Sequence, residues 1–384
     1  MQGALLLLVL LPSSSPSFVA AQPVRRLALV AELKVGQPDG PPEYALGRIE
    51  YMAVTATSSF FLFDVSDTQI RRYDAKGQFR GLVGRSGSGP GEYRNILGME
   101  LYRDSLLLVW DPGNGRITVF DSSGVYRREV GFNRGNFYGE KAFAVDRAGS
   151  IYVRASVGSG PREGAGIASQ YIRLRIDGTR LDSIPLPVEG AQGNAFVLIT
   201  ADGARWNFPD RRVYALMPGG GLATASTSAY RITLSQGGTT RTIERAYTPI
   251  PITGAERAEW EAFANYFARR DGGTSPPATI PRVKPALRDL FFDAAGRLWV
   301  NVYTRAEKRV IPPRPKGDER PLLTIREVNA YELFDPGGTF LGRLELPPQS
   351  RLMAVAGDRI WVRTEAEGGD YILTRFRIAG LGSH

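Results

Sequence analysis

Residues 61–93 read FLFDVSDTQIRRYDAKGQFRGLVGRSGSGPGEY, and this stretch decides the fold class. An apolar strand ends at Asp64, and after a tight connection a second strand ends at Tyr73 and Asp74. A glycine turn then leads to a third strand that ends at Gly84. Short strands separated by Asp and Gly turns predict a small antiparallel sheet.

The same frame returns in the next part of the chain, where strands end at Asp111, Asp121 and Gly131. Gly84 and Gly131 are about 47 residues apart, close to the length of a four-stranded propeller blade. Weaker copies contain the strands at 151–153, 222–225, 298–300 and 360–362, which makes six units. The sequence therefore predicts an all-β fold, a six-bladed β-propeller.

The N-terminal region predicts how the ring closes. Val35-Gly36, followed by Glu43-Tyr44, repeats the pattern of Val83-Gly84 followed by Glu92-Tyr93. Residues 27–36 are therefore expected to be an outer strand without a blade of its own, while the sixth unit ends without an outer strand. Pairing the two completes the last blade and removes an exposed sheet edge.

The run from Phe61 to Tyr93 resembles the NHL-type six-bladed propellers that are common as exported bacterial proteins. The resemblance covers residues 45–145 and consists of the Asp-ended strand, Ile-x-x-Tyr-Asp, the glycine turn and Gly-Pro-Gly-Glu-Tyr. It implies the fold and no catalytic residue, because such propellers include binding modules as well as lyases.

Residues 4–11 read ALLLLVLL, and the small residues Val19, Ala20 and Ala21 follow at the position of a cleavage site. This pattern predicts a signal peptide over residues 1–21, and the apolar run is too short to span a bilayer. The propeller then occupies residues 22–384, and we expect it in the periplasm or outside the cell, without a transmembrane segment.

Composition limits the chemistry. The chain has 384 residues with no Cys, and its one His is His384. Thiol catalysis, thiolate metal sites and a His-based triad or zinc site inside the fold are therefore excluded. The 48 basic and 39 acidic residues give a net charge of +9, which favours anionic partners.

The residues beyond the blade length fall into four insertions, near 156–170, 185–212, 251–284 and 304–327. Each lies between the second and third strands of a unit or between two units, and these connections share one face of a propeller. We call it the insertion face, and we call the opposite side, with its short turns, the turn face. Insertions gathered on one face predict a binding surface.

The third insertion contains a helix signal. Thr253 and Glu256 have the spacing of a capping box, and Trp260, Phe263 and Phe267 share one side of a helix near 254–270, together with Tyr266. We expect the helix to pack on the propeller rim, and a role in partner binding stays open.

Charged residues on the insertion face are the candidate ligand-binding side chains. They are Arg305, Lys308, Arg309, Arg314 and Lys316 in the last insertion, and Arg85 and Glu92 between the first two units. A solvated loop is the alternative interpretation of the basic stretch.

Oxygen-bearing side chains at strand ends of the same face are candidate metal ligands: Asp64, Asp67, Asp111 and Asn114. Such residues could gather around Ca²⁺. They also close turns by binding their own backbone, which is the alternative interpretation.

We expect a non-catalytic recognition propeller that binds a protein or an anionic polymer through the insertion face. The alternative is a Ca²⁺-dependent lyase or lactonase-like hydrolase that uses carboxylates at the axis. No cofactor is expected, with Ca²⁺ left open. We expect a monomer, and nucleic acid is not an expected partner.

Overall fold

The computed structural model describes residues 24–131, 143–146, 148–156, 169–187, 208, 210–270, 280–309, 311, 317–366 and 369–381. In this part of the chain, six four-stranded antiparallel sheets form the blades of a propeller, as the sequence predicts. Strands a to d of each blade run from the axis outward.

The chain begins with β1 (Ala28–Val35), and blade 1 follows with β2 (Ile49–Val54), β3 (Phe60–Asp64), β4 (Gln69–Tyr73) and β5 (Phe79–Val83). The short strands β6 (Arg85–Ser86) and β7 (Glu92–Tyr93) lead into blade 2, with β8 (Gly98–Tyr102), β9 (Leu106–Asp111), β10 (Arg116–Asp121) and β11 (Tyr126–Gly131). Blade 3 has β12 (Phe143–Val145), β13 (Ile151–Ser156), β14 (Ser169–Leu174) and β15 (Arg180–Pro185).

Blade 4 has β16 (Arg212–Leu216), β17 (Leu222–Ser226), β18 (Arg231–Gln236) and β19 (Thr239–Glu244), and the helix α1 (Gly254–Arg270) follows it. Blade 5 has β20 (Asp289–Phe292), β21 (Leu298–Val302), β24 (Ala330–Phe334) and β25 (Phe340–Glu345), with β22 (Glu307–Lys308) and β23 (Ile325–Arg326) inserted. Blade 6 has β26 (Ser350–Ala356), β27 (Arg359–Glu365) and β28 (Tyr371–Ala379).

The N-terminal strand closes the ring. β1 pairs antiparallel with β28, from Ala28 opposite Ala379 to Val35 opposite Leu373, and so supplies strand d of blade 6. Just before β1, Arg26 forms a parallel bridge to Arg343 of blade 5. The N-terminal segment therefore joins two blades, and the predicted closure by residues 27–36 is confirmed.

The core of the propeller lies between blades. Trp110 stacks on Phe143 between blades 2 and 3, and Trp299 and Leu344 are buried between blades 5 and 6. Both faces of each sheet are covered by a neighbour, which explains why strands such as β3 are apolar along their whole length. Each fully buried side chain of this kind contributes about 1.5–3 kcal/mol to folding.

The turns between strands c and d are closed by one repeated device. In blade 1, Asp74 Oδ1 accepts hydrogen bonds from the backbone N–H of Lys76 and of Gln78, both at 2.9 Å. Gly77 has φ of 75°, a conformation that glycine adopts without a Cβ penalty. Asp121 does the same in blade 2, so the described turn face is built from short, self-contained turns.

The helix α1 spans Gly254–Arg270, as predicted. Its N-terminus is capped by Thr253, whose Oγ1 accepts a hydrogen bond from the Glu256 N–H at 3.1 Å. Among the described residues, no helix has the length and apolarity needed to cross a lipid bilayer. The insertions near 156–170 and 185–212 lie mostly outside the described residues.

Candidate functional site

Helix α1 and parts of two insertions form a small subdomain on the insertion face, which we call the cap: residues 251–270, 280–288 and the described part of 303–327. Trp260 and Phe263 of the helix are buried against Phe208, Tyr303 and Leu323. The apolar side of the helix therefore packs against its own chain. The cap has a hydrophobic core separate from those between the blades.

A fully buried lysine holds the cap to blade 5. Lys284 Nζ lies 2.8 Å from Glu256 Oε1 and 2.7 Å from Glu327 Oε1, and it donates to the Thr304 carbonyl at 3.0 Å. Glu327 also pairs with Arg288. An ammonium group away from water is tolerated only when it is paired and hydrogen-bonded. The network therefore joins the first turn of α1 to both ends of the blade 5 insertion.

A second contact fixes the basic insertion itself. The Glu259 carboxylate on α1 accepts backbone N–H bonds from Thr324 at 2.7 Å and from Ile325 at 2.8 Å. Ile325 lies in β23, which pairs with Lys308 of β22. The hairpin that carries the basic residues is therefore oriented by the helix.

The structure describes three of the five predicted basic residues of this insertion. Arg305 and Lys308 are exposed. Arg309 is partly buried, and its guanidinium lies 2.9 Å from the Glu307 carboxylate. The backbone N–H of Arg309 donates to the Thr324 carbonyl. Arg314 and Lys316 lie outside the described residues.

The other two candidates, Arg85 and Glu92, bind each other. Arg85 Nε lies 2.7 Å from Glu92 Oε1, and Glu92 Oε2 accepts the Gly89 N–H at 2.7 Å. The Gly89 N–H bond and then Arg85 lower the pKa of Glu92. This pair lies between blades 1 and 2, which are not neighbours of blade 5, so the structure does not bring it to the basic insertion.

The predicted metal ligands Asp64 and Asp111 lie at equivalent ends of strand b and accept backbone hydrogen bonds. Asp64 accepts from the N–H of Gly47 and of Arg48, both at 2.8 Å. Asp111 accepts from the N–H of Asn95 at 3.0 Å and of Arg94 at 3.0 Å. Each carboxylate ties the end of strand b to the segment that enters strand a of the same blade.

The two remaining candidates take part in the same contacts. Asp67 pairs with Arg71, which also contacts Asp64 at 3.2 Å. Asn114 donates from Nδ2 to Asp111 at 2.8 Å and to the Gly87 carbonyl at 2.9 Å. Among the described residues, no group of three or more Asp, Glu or His side chains is arranged to hold a metal ion.

The inner strands bring further charged residues to the axis at the insertion face, a region we call the axial mouth. Arg351 on β26 acts electrostatically on Tyr51 of blade 1 and on Tyr331 of blade 5, the two neighbours of blade 6. Asp289 on β20 acts on Tyr331 and on Tyr171 of blade 3. Both residues lie on inner strands and act electrostatically on groups of more than one blade, as expected for side chains near the axis.

The tyrosines of the axial mouth have raised pKa values. Burial raises the pKa of Tyr51 to about 12, and Glu50 adds to this effect while Arg351 opposes it. Burial likewise raises the pKa of Tyr331 to about 12, against the effect of Arg351. Both hydroxyl groups therefore stay protonated at neutral pH and can donate hydrogen bonds.

Glu50 reaches the axial mouth from a β-bulge. The pairing of β2 with β3 shifts between Ile49 and Tyr51, which leaves Glu50 as the extra residue. Bulges of this kind re-aim a side chain and are common beside functional sites. Its charge acts on both Arg363 and Tyr371 of blade 6.

On the inner strand of blade 2, Glu100 of β8 has no hydrogen bond or ion pair to any described residue. Its side chain is partly exposed. Burial raises the pKa of Glu100 from 4.5 to about 7. This carboxyl group is therefore poised to change charge near neutral pH.

Carboxylates at the axis were expected only for the alternative enzyme, and the individual residues of the axial mouth were not predicted from the sequence. The available signal was a charged residue in the first two positions of strand a: Glu50 in β2, Asp289 in β20 and Arg351 in β26. Their convergence depends on the closed ring, since they are far apart in sequence.

No protein-family model and no curated protein sequence matches the chain. Similar solved structures include a DUF4221 family member from Bacteroides vulgatus, 12% identical, with 93% of this chain and 99% of that chain covered and a TM-score of 0.50. An exported protein of Bacteroides fragilis is 10% identical over 92% of this chain and 95% of that chain, with a TM-score of 0.48.

A gluconolactonase from Xanthomonas campestris is 14% identical over 87% of each chain, with a TM-score of 0.39. At these identities the likeness concerns architecture and not activity, and the NHL-type assignment stays a prediction. By its fold, the chain belongs to the six-bladed β-propellers.

Proposed function

We propose that this protein is an extracytoplasmic recognition propeller that binds an anionic polymer through its insertion face and catalyses no reaction on it. The observation that carries the proposal is the cap, where Lys284, Glu256 and Glu327 hold a basic hairpin in a fixed position. Binding residues are commonly placed on loops that a rigid scaffold positions. A preorganised loop also loses less conformational entropy when the ligand binds.

The charge of the insertion face supports an anionic ligand. Arg305 and Lys308 are exposed on the cap, and Arg48 and Arg212 are exposed where β2 and β16 begin. Cationic side chains spread over one face match a polymer that repeats its negative charge along the chain.

The location outside the cytoplasm rests on the predicted signal peptide at residues 1–21. In this location, acidic polysaccharides are accessible ligands, and their carboxylates suit arginine side chains.

Polygalacturonate binding at low ionic strength tests the proposal, with neutral dextran as the polymer control. The double substitution Arg305→Gln, Lys308→Gln should weaken binding at least about fivefold, which corresponds to about 1 kcal/mol. The matched control is Lys76→Gln, Arg180→Gln, which removes the same charge from an exposed residue of a c–d turn and from the exposed first residue of strand d in blade 3. It should leave the affinity unchanged.

Equal loss in both double variants would contradict the proposed site, because it would show that net charge alone governs binding. Absence of polygalacturonate binding in the natural protein would overturn the anionic polymer as ligand and favour a protein partner.

The alternative, a Ca²⁺-dependent propeller enzyme, draws on the inner-strand carboxylates Glu50, Glu100 and Asp289. Metal analysis of the purified protein separates the two functions. We expect less than stoichiometric Ca²⁺ and no change in melting temperature on chelation. Stoichiometric Ca²⁺ together with a large drop in melting temperature on chelation would favour the enzyme.

A further inference from the structure

We propose that Arg351 and Arg363 form a binding site for one oxyanion, a carboxylate or phosphate group, at the axial mouth. The inference deepens the proposed function. It rests on that function because it takes the insertion face as the face that the ligand approaches. It identifies the chemical group that the axis would recognise.

The two arginines are directly opposite each other on neighbouring strands. Arg351 on β26 and Arg363 on β27 are register partners, so their side chains leave the same face of the blade 6 sheet. Like charges in this position destabilise a sheet. An anion between the two guanidinium groups would remove the repulsion.

The same blade contains a second pair of opposed arginines, and there a carboxylate of the protein offsets the repulsion between the two positive charges. Arg359 and Arg377 are register partners at the other end of β27. Glu32 of β1 lies 2.9 Å from Arg359, 3.2 Å from Arg375 and 3.6 Å from Arg377. There a carboxylate of the protein takes the position that we assign to the ligand at the axial mouth.

Arg351 has no such carboxylate. Within the described part of the chain, its guanidinium forms no hydrogen bond and no ion pair within 4.0 Å, although the side chain is partly buried. A partly buried charge without a counter-charge costs free energy that a ligand can recover.

Arg363 supplies the fixed half of the site. It is buried, its guanidinium donates to the Ile49 carbonyl of blade 1, and it lies 4.6 Å from the centroid of the Tyr371 ring. Burial lowers its pKa, since the charged form is poorly solvated. A guanidinium held in this way places a fixed positive charge beside Arg351.

The neighbouring groups restrict what can bind. Arg351 acts electrostatically on Tyr51 of blade 1 and on Tyr331 in strand c of blade 5, and both hydroxyl groups can donate hydrogen bonds. The carboxylates of Glu50 and Asp289 also border the axial mouth. They would repel a second oxyanion at the axial mouth, so the site suits one charged group of the polymer.

Titration with inorganic phosphate and with monomeric galacturonate, in chloride buffer of matched ionic strength, tests the site. The natural protein should bind at least one probe saturably and gain melting temperature with it. Arg351→Gln should weaken that binding at least about tenfold, and without probe it should melt at the same temperature or higher, because the repulsion is gone. Arg377→Gln should keep the natural affinity.

Binding of phosphate alone would indicate a phosphorylated ligand, and binding of galacturonate alone would indicate a carboxylate. The site is overturned if neither probe binds the natural protein, or if Arg351→Gln binds as the natural protein does. A different variant tests the proposed function, which is contradicted if Arg305→Gln, Lys308→Gln keeps full affinity for polygalacturonate. The two failures are therefore distinguishable.

Discussion

Buried cations of this protein differ in how completely they are paired. Lys284 contacts two carboxylates and a carbonyl oxygen, and Arg71 contacts Asp64 and Asp67. These side chains hold loops to the propeller. Arg351 forms no ion pair with a described residue, which is why we assign it to ligand binding.

Lys284→Met should be strongly destabilising, because it leaves Glu256 and Glu327 buried without their cation. We expect a loss of about 3–5 kcal/mol in the free energy of unfolding, measured by urea denaturation. The matched control Lys308→Met, on an exposed lysine of the same cap, should change it by less than about 0.5 kcal/mol. A loss below about 1 kcal/mol for Lys284→Met would refute the anchoring role.

Glu100 should make stability depend on pH near neutrality. Its pKa is raised by burial to about 7 in the folded protein, so the folded state binds a proton that the unfolded state has released. The contribution of Glu100 to stability should therefore be most favourable below pH 4.5, fall as pH rises toward 7, and change little above that. The one His, at the last position of the chain, adds little to this titration.

Glu100→Gln removes this titration and should be more stable than the natural protein at pH 8, by on the order of 2 kcal/mol. The difference should shrink as the pH falls to 5. Urea unfolding at several pH values measures it, and a difference that does not vary with pH would show that Glu100 does not titrate in this range.

The elements differ in how far the sequence predicted them. Helix α1 was predicted from Thr253, Glu256 and its aromatic side, which are local signals, and β1 was predicted because its sequence repeats that of β5. The capping box is only half formed, since the Glu256 carboxylate binds Lys284 instead of the Thr253 N–H. That outcome depends on a residue 28 positions away, and a local pattern cannot show it.

The axial mouth was not predicted for the same physical reason. Glu50, Asp289 and Arg351 come together only when six blades close into a ring, and strand a has no turn motif of its own. The roles of Asp64 and Asp111 also depend on partners 16 or 17 residues earlier in the chain. The turn closure given as the alternative is confirmed, since Asp64 also accepts from the Ser66 N–H and Asp111 from the Asn114 N–H, whereas the contacts to the preceding segment were not predicted.

The segment before β1 should stabilise the ring through Leu27, which is buried between blades 5 and 6. Leu27→Ala should lower the free energy of unfolding by about 2–4 kcal/mol, since it leaves a cavity at the closure. Val24→Ala, three residues earlier and exposed, is the control and should change it by less than about 0.5 kcal/mol. Equal effects of the two substitutions would contradict a role of Leu27 in closing the ring.

The propeller as a whole has two unlike faces. The described c–d turns are short and contain Gly residues with positive φ, and in blades 1 and 2 an Asp of the turn accepts backbone hydrogen bonds. The insertion face carries the cap, the exposed basic residues and the axial mouth. We therefore expect a ligand to contact the cap and the mouth together and to leave the turn face free.

Hydrogen–deuterium exchange with and without polygalacturonate tests this expectation most directly, because it reports on both faces of the same molecule in one experiment. Our account predicts slower exchange in residues 304–309 and 317–326 and at the starts of β2 and β26, with no change in the turns at 74–78 and 121–125. Slower exchange confined to those turns, with the cap and the axial mouth unchanged, would contradict it.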